Sequence, residues 1–160
     1  MKKIIIFLFA SFMLSSCQSQ KTVTESKNTE ISKLTDQQLM DKVQKDALKY
    51  FWDYAEPNSL LGRERYHEDN IYPQNDKHVV TTGGSGFGLA TVLVGVERGF
   101  IPRDEAVKRL NTMMDFLAKA DRFHGAWSHW IHGETGKVVP FGRKDNGGDL
   151  VETAFLTSGI

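Results

Sequence analysis

The sequence predicts an all-α domain of four helices. From residue 34 onward, apolar residues recur at three- and four-residue spacing in four stretches, which alternate between amphipathic and almost wholly apolar. The connections also alternate, because two long stretches, residues 56–84 and 121–148, flank one short turn. Helices joined by short turns run antiparallel, so both long loops should lie at one end, beside the start of the two apolar helices. This pattern is typical of an inner ring of helices wrapped by an outer ring, with a crevice on one rim. A simple four-helix bundle is the alternative, which the long loops disfavour.

Residues 1–17 are predicted to be a signal peptide. Two lysines precede an apolar run, Ile4 to Leu14, that is shorter than the roughly 20 residues a membrane span needs. The run ends in Leu14-Ser15-Ser16-Cys17, which resembles the lipobox of bacterial lipoproteins, where the cysteine carries the lipid. We therefore expect a lipid anchor on Cys17 and a location in the bacterial cell envelope, on the periplasmic side or the cell surface. A soluble secreted protein is the alternative.

Residues 18–33 are polar and have no apolar period, which indicates a flexible tether. The 20 basic and 20 acidic residues balance, so nothing favours nucleic acid as a partner, and a membrane is expected only through the anchor. The folded domain is expected over residues 34–160. Because the sequence stops inside an apolar helical run without a stop signal, we expect this domain to be truncated.

Helix boundaries follow from capping residues and from glycine and proline. Thr35 and Gln38 form a capping box for the first helix, which should continue towards Pro57. The second helix is predicted from Phe87 to Arg98 and should be buried all round, after the glycine-rich loop Thr82 to Gly88. The two remaining helices are predicted over Arg103 to Ala120 and from Asp149 onward.

The glycine-rich loop lacks the lysine and the spacing of a P-loop, and no clear strand precedes it. Nucleotide binding is therefore rejected, and no cofactor is expected. Gly83, Gly84 and Gly86 should instead permit close approach to a ligand or to a neighbouring helix.

The loop 121–148 holds a predicted β-hairpin, in which Trp127 to His132 and Lys137 to Val139 flank a Gly-Glu-Thr-Gly turn. Alternate residues of a strand face opposite sides, so His129 and His132 should point apart, and no metal site is predicted. Trp127, His129 and Trp130 could form a sugar-binding wall, with plain packing of the hairpin as the alternative.

Three carboxylates surround the start of the fourth helix. Asp149 and Glu152 are three residues apart and share one helix face, and Asp145 precedes them in a glycine-rich turn. Such carboxylates can bind a polyhydroxylated ligand or take part in acid–base chemistry. The alternative is that Asp149 and Glu152 form only a capping-box variant.

Three segments together resemble the glucoamylase-like domain of glycoside hydrolase family 144. They are Thr82-Gly83-Gly84-Ser85-Gly86-Phe87-Gly88, Gly125-Ala126-Trp127-Ser128-His129-Trp130 and Asp145-Asn146-Gly147-Gly148-Asp149-Leu150-Val151-Glu152-Thr153. The resemblance runs from about residue 36 to the end. It implies part of an (α/α)6 toroid, with two inner and outer helix pairs, and hydrolysis of β-1,2-linked or related bacterial glucans by an enzyme that is monomeric at full length.

The same resemblance implies that the acidic residues line the cleft and are needed for activity. Asp149 and Glu152 are the candidate catalytic residues, and a proton-donating glutamate is expected beyond Ile160, so the sequence alone should be inactive. The candidate substrate-binding residues are Asp145, Trp127, His129, Trp130, Phe87 and Arg143. A glycan-binding envelope lipoprotein without catalysis is the alternative function.

Overall fold

The computed structural model describes residues 31–140 and 142–160. The predicted signal peptide, Cys17 and the tether as far as residue 30 lie outside the described residues. The described residues divide into two units, with the boundary between Val43 and Gln44. In the described part of the first unit, the predicted capping box is present: the Gln38 amide donates to Thr35 Oγ1 over 3.3 Å, and the Thr35 amide donates to Gln38 Oε1 over 2.9 Å.

The described residues form four helices and five short strands. The helices are α1 (Asp36–Trp52), α2 (Thr82–Glu97), α3 (Arg103–Lys119) and α4 (Leu150–Gly159), and the strands are β1 (Val79–Thr81), β2 (Arg122–Phe123), β3 (Ala126–Trp127), β4 (Trp130–His132) and β5 (Val138–Val139). The four predicted helices are therefore confirmed, although α1 ends five residues before Pro57. None of the helices in residues 31–140 and 142–160 has the length and apolar character needed to cross a membrane.

The glycine-rich segment is helical, which corrects its prediction as a loop. It forms the first two turns of α2, because the helix begins at Thr82 rather than at Phe87. The prediction that no strand precedes this segment is also wrong, since β1 pairs with β4 in the order β1-β4-β5. Sequence pattern missed β1 because three residues are too short to show a period.

The predicted hairpin is confirmed in a shorter form. Strand β4 pairs antiparallel with β5, with Trp130 opposite Val139 and Ile131 opposite Val138. Trp127 belongs instead to a second hairpin, formed by β2 and β3 around His124 and Gly125. Both turn residues have positive φ, +50° and +93°, as a two-residue hairpin turn of the primed type requires.

Helices α2 and α4 pack closely side by side. Gly83 contacts Glu152, Gly86 contacts Phe155, and residue numbers rise together along both helices, so the two run parallel. A Cβ on Gly86 would overlap the Phe155 carbonyl. The prediction of close approach to a neighbouring helix is confirmed for Gly83 and Gly86, whereas Gly84 adjoins the Thr81 side chain.

Helix α1 runs antiparallel to α2 in its C-terminal half. Its Phe51 lies against Gly88, while Leu48, one turn earlier, lies against Gly95, two turns later in α2. Helices α2, α3 and α4 share a core with β1 and β4, and it contains Leu61, Val80, Leu89, Met113, Leu117, Ala120, Ile131 and Leu156. Leu48 of α1 belongs to a second cluster with Val92, Ile101 and Ala106.

One face of α2 is exposed, so the prediction of a helix buried all round is wrong for the described residues. Phe87 and Leu93 are each 58% exposed, and Val94 is also exposed. On α4, Val151 and Phe155 are exposed as well. Apolar periodicity shows which residues favour burial, but it does not show whether a partner covers them.

Candidate active site

Asp149 is the residue on which the candidate site is built. It is the N-cap of α4, and its Oδ1 accepts hydrogen bonds from the amides of Val151 (2.9 Å) and Glu152 (3.0 Å). Its own amide donates to the Trp127 carbonyl over 2.7 Å, which attaches the start of α4 to β3. The second carboxylate oxygen, Oδ2, lies 3.2 Å from Nδ1 of His129.

These contacts keep Asp149 ionised. The hydrogen bond from the Glu152 amide is the largest cause of its lowered pKa, and burial, which raises the pKa, has a smaller effect. His129 and the Val151 amide lower the pKa further. Its side chain remains 32% exposed. Asp149 is therefore a carboxylate that is both fixed in orientation and accessible to a ligand.

A groove of about 660 Å³ opens beside Asp149, within the 300–1,000 Å³ range of small-molecule sites. Its walls are the 144–150 turn and two side chains from the loop before it, Phe123 and His129. The structure thus brings together three predicted site residues, Asp145, His129 and Asp149. Asp145 is exposed in the turn, and its amide donates to the Gly142 carbonyl over 3.1 Å.

Glu152 does not close the predicted capping box onto Asp149. Its Oε2 accepts a hydrogen bond of 2.7 Å from the amide of Gly83, at the start of α2. The capping interpretation is thus correct for Asp149 and wrong for the reciprocal bond from Glu152. The carboxylate of Glu152 instead stabilises the N-terminus of the neighbouring helix.

The two tryptophans have different surroundings. Trp127 packs against the main core, its Nε1 donates to the Leu117 carbonyl over 3.2 Å, and Arg122 covers its ring at 5.3 Å from the centroid. Trp130 is half-buried on β4, and its Nε1 donates to Glu64 Oε2 over 3.0 Å. Trp130 also contacts the His129 ring edge to face, at 5.5 Å between centroids.

Five predicted site residues do not line this groove: Phe87, Trp127, Trp130, Arg143 and Glu152. Phe87 lies on α2 beside Phe155 and borders a different cavity, next to α1. Arg143 is exposed in the turn before Asp145, outside the residues that form the groove walls.

Sequence reasoning missed two residues near the site. Phe123 is 60% exposed and lines the groove, while Glu64 reaches it indirectly, through Trp130. The signal for Phe123 was the His124-Gly125 pair between apolar residues, which permits a tight hairpin. No sequence signal connects Glu64 with Trp130, because 66 positions separate them.

His129 and His132 lie in different environments. His129 adjoins Asp149, whereas the His132 ring stacks on His78 at 5.8 Å between centroids. Within residues 31–140 and 142–160, no group of three or more potential metal-binding side chains is found.

Comparisons with known proteins identify relatives of this fold. No family model matches the chain. Over 128 residues, 79% of the chain, it is 54% identical to an exo beta-1,2-glucooligosaccharide sophorohydrolase (non-reducing end) of Parabacteroides distasonis, of which it covers 17%.

Two solved structures are also similar. One is an endo-beta-1,2-glucanase from Chitinophaga pinensis in complex with sophorotriose and glucose, with a TM-score of 0.77, 58% identity, and coverage of 79% of this chain and 30% of that one. The other is a beta-1,2-glucanase from P. distasonis, with a TM-score of 0.72, 51% identity, and coverage of 79% and 17%.

These matches show that the described helices and small sheets have the fold of glucoamylase-like glycoside hydrolases. Over the matched residues the chain is similar to proteins named as β-1,2-glucan hydrolases, which agrees with its resemblance to glycoside hydrolase family 144. The chain spans less than a third of the length of these relatives.

Proposed function

We propose that the protein is a glycoside hydrolase acting on β-1,2-linked glucan or a related bacterial glucan, and that the groove beside Asp149 is part of its active site. The main supporting observation is an ionised, oriented carboxylate beside an open groove. In addition, the relatives of the chain are named as hydrolases of such glucans. The names of these relatives do not support the alternative function, which is that of a non-catalytic glycan-binding protein.

Glycoside hydrolysis requires a carboxylic acid that protonates the leaving oxygen and a carboxylate that activates water or attacks the anomeric carbon. Because its pKa is lowered, Asp149 suits the second task or the orientation of substrate. Glu152, on the first turn of α4, is the second candidate. The Gly83 amide holds its Oε2, and Glu152 is not among the residues that line the groove. Neither residue is assigned as the proton donor, which we place outside the described residues.

Carbohydrate binding combines hydrogen bonds to hydroxyls with contact of aromatic rings against the sugar face. Asp145 and His129 are the groove residues proposed for the hydroxyls, and Arg143 and Trp130 extend this surface. Phe123 is the aromatic side chain on the groove wall itself. Trp127 and Phe87, proposed from sequence, are less favourably placed, since one packs in the core and the other borders another cavity.

The arrangement of α1, α2 and α4 supports part of an (α/α)6 toroid. We also propose, on the resemblance alone, that the intact protein is monomeric. In such a ring, neighbouring inner helices run parallel to each other and antiparallel to the outer ones. The parallel pair α2 and α4, the antiparallel α1 and the exposed Phe87 and Phe155 all agree with this architecture. A lipid anchor on Cys17, a tether and a location in the cell envelope complete the proposal, on the sequence pattern alone.

The test uses the intact protein and linear β-1,2-glucan, with released reducing ends as the readout. Asp149→Asn and Glu152→Gln should each lower kcat/KM about 100-fold or more, as expected when an acid–base group is removed. Asp104→Asn, which changes an exposed carboxylate on α3, is the matched control and should keep full activity. A wild-type protein that releases no reducing sugar would refute the proposed function. Full activity in both site variants would refute the assignment of the site.

A further inference from the structure

Glu64 is a carboxylate on the long connection between α1 and β1, and its backbone is fixed by the sheet. Its amide donates to the Val79 carbonyl over 2.9 Å, and the preceding residue, Arg63, bridges to Val80. The side chain is 24% exposed, and its Oε2 accepts the hydrogen bond from Trp130 Nε1. The backbone of Glu64 is therefore held by the sheet, and its carboxylate is hydrogen-bonded to the indole of Trp130.

The indole in turn contacts the candidate site. The Trp130 ring meets the His129 ring at an interplanar angle of 82°, and His129 Nδ1 lies 3.2 Å from Asp149 Oδ2. Three successive contacts thus connect Glu64 with Asp149 through two aromatic rings. They join the loop before β1, the strand β4 and the N-terminus of α4.

Each contact constrains the next one. An indole has a single N–H donor, so its hydrogen bond constrains the direction in which the ring nitrogen points. A charged acceptor makes that bond about twice as strong as a neutral one. The edge-to-face contact then favours one orientation of the His129 ring. Oδ1 of Asp149 already accepts hydrogen bonds from two backbone amides. The position of the His129 ring beside Oδ2 is therefore the part of the Asp149 surroundings that can change.

We propose that Glu64 is a positioning residue of the active site, which holds Trp130 and thereby His129 in the orientation that places Asp149 for reaction. This inference rests on the proposed function, because it concerns the same site. Arg65 adjoins the Glu64 carboxylate at 4.0 Å and also pairs with Asp76 at 3.1 Å, so it helps to keep the Glu64 side chain in place.

The kinetic test compares three variants of the intact protein on linear β-1,2-glucan. Glu64→Ala should lower kcat about tenfold with KM changed less than about twofold, because a misplaced group impairs the reaction more than binding. It should also move the acidic limb of the pH profile of kcat/KM to higher pH, since Asp149 would lose the support of His129. Glu64→Gln keeps an oxygen acceptor for the indole and should restore most of kcat. Glu68→Ala, an exposed carboxylate in the same loop, should behave as wild type.

A spectroscopic test does not depend on activity. With 5-fluorotryptophan incorporated, the ¹⁹F resonance that disappears in Trp130→Phe belongs to Trp130. That resonance should shift in Glu64→Ala and in His129→Ala, and stay unchanged in Glu68→Ala. An inactive wild-type protein would refute the proposed function, yet the resonance would still report the contacts. An unchanged resonance in Glu64→Ala, or a kcat and pH profile equal to those of Glu68→Ala in an active enzyme, would overturn the inference.

Discussion

Glu152 Oε2 accepts a hydrogen bond of 2.7 Å from the Gly83 amide, so a carboxylate of α4 stabilises the first turn of α2. Asp149, three residues earlier in the chain, accepts hydrogen bonds from the first amides of α4 and so stabilises the N-terminus of α4 itself. The N-termini of two parallel helices are therefore adjacent, and each one receives a carboxylate. The positive ends of both helix dipoles point towards the same region, which favours negative charge there. This arrangement explains why acidic residues lie at this point of the fold, and it gives Glu152 a structural role in addition to the proposed catalytic one.

Substitution of Glu152 can separate these two roles. Glu152→Ala removes the acceptor of a charge-assisted hydrogen bond and should lower the free energy of unfolding by about 1–2 kcal/mol. Glu152→Gln keeps an oxygen acceptor for the Gly83 amide, so its loss of unfolding free energy should be less than about half of the loss in Glu152→Ala. Urea unfolding followed by circular dichroism measures both. If the glutamine variant is stable but inactive, Glu152 acts in catalysis. If activity only falls in proportion to folded protein, its role is structural.

Gly86 permits the close approach of α2 and α4. A methyl group on Gly86 would overlap the backbone carbonyl of Phe155, which cannot move without shifting α4. Gly86→Ala should therefore destabilise the fold by about 1–3 kcal/mol or more, despite the better helix propensity of alanine. Gly147→Ala is the control, because its Cβ would meet only the Phe123 ring at ordinary contact distance, 3.7 Å. Equal thermal stability of the two variants would contradict the packing described for α2 and α4.

Sequence pattern identified the four helices because apolar period and capping signals act locally. Asp149 as N-cap and Arg103 as the start of α3 agree with the structure. The same reasoning misread the glycine-rich segment as a loop, since glycine lowers helix propensity by about 1 kcal/mol per residue. Packing against α4 overrides that preference, most clearly at Gly86, where any larger residue would overlap the Phe155 backbone. Such a tertiary effect is not encoded in any single stretch of sequence.

The candidate site was only partly predictable for a similar reason. Asp145, His129 and Asp149 lie in or beside turns that the sequence marks clearly, and the structure places all three on one groove. The surroundings of Trp127 and Trp130 depend on partners in other elements. These are Leu117 of α3 for Trp127, and Glu64, 66 positions away, for Trp130. Residue type predicted that both tryptophans could contact sugar. Only the fold shows that one of them is mainly a core residue.

Glu56 should be essential for stability although it lies outside the groove. It is fully buried and accepts hydrogen bonds from Asn58, Ser59 and His78. Burial opposes its charge, but these hydrogen bonds outweigh burial and lower its pKa. Glu56→Ala would leave several buried donors unpaired and should lower the free energy of unfolding by about 3–5 kcal/mol.

The control for this prediction is Glu134→Gln. Glu134 lies 3.8 Å from the other nitrogen of His78, but half of its side chain is exposed. Its substitution should change stability by less than about 0.5 kcal/mol, because exposed pairs contribute little. A loss in Glu134→Gln as large as in Glu56→Ala, measured by urea unfolding, would show that burial of the carboxylate is not what matters.

The acid dependence of stability should report the ionisation of Asp149. Its pKa in the folded protein is lowered from the ordinary 3.8, so its charge stabilises the fold above that pH, and this stabilisation is lost as the pH falls through the folded pKa. Asparagine is an equally good N-cap but carries no charge, so Asp149→Asn should match the wild type once both are in strong acid. Unfolding midpoints measured from about pH 7 to about pH 2.5 should therefore converge on acidification. Glu56 titrates in both proteins, so its effect cancels in the difference between the two unfolding midpoints. A difference that stays constant with pH would contradict the lowered pKa of Asp149.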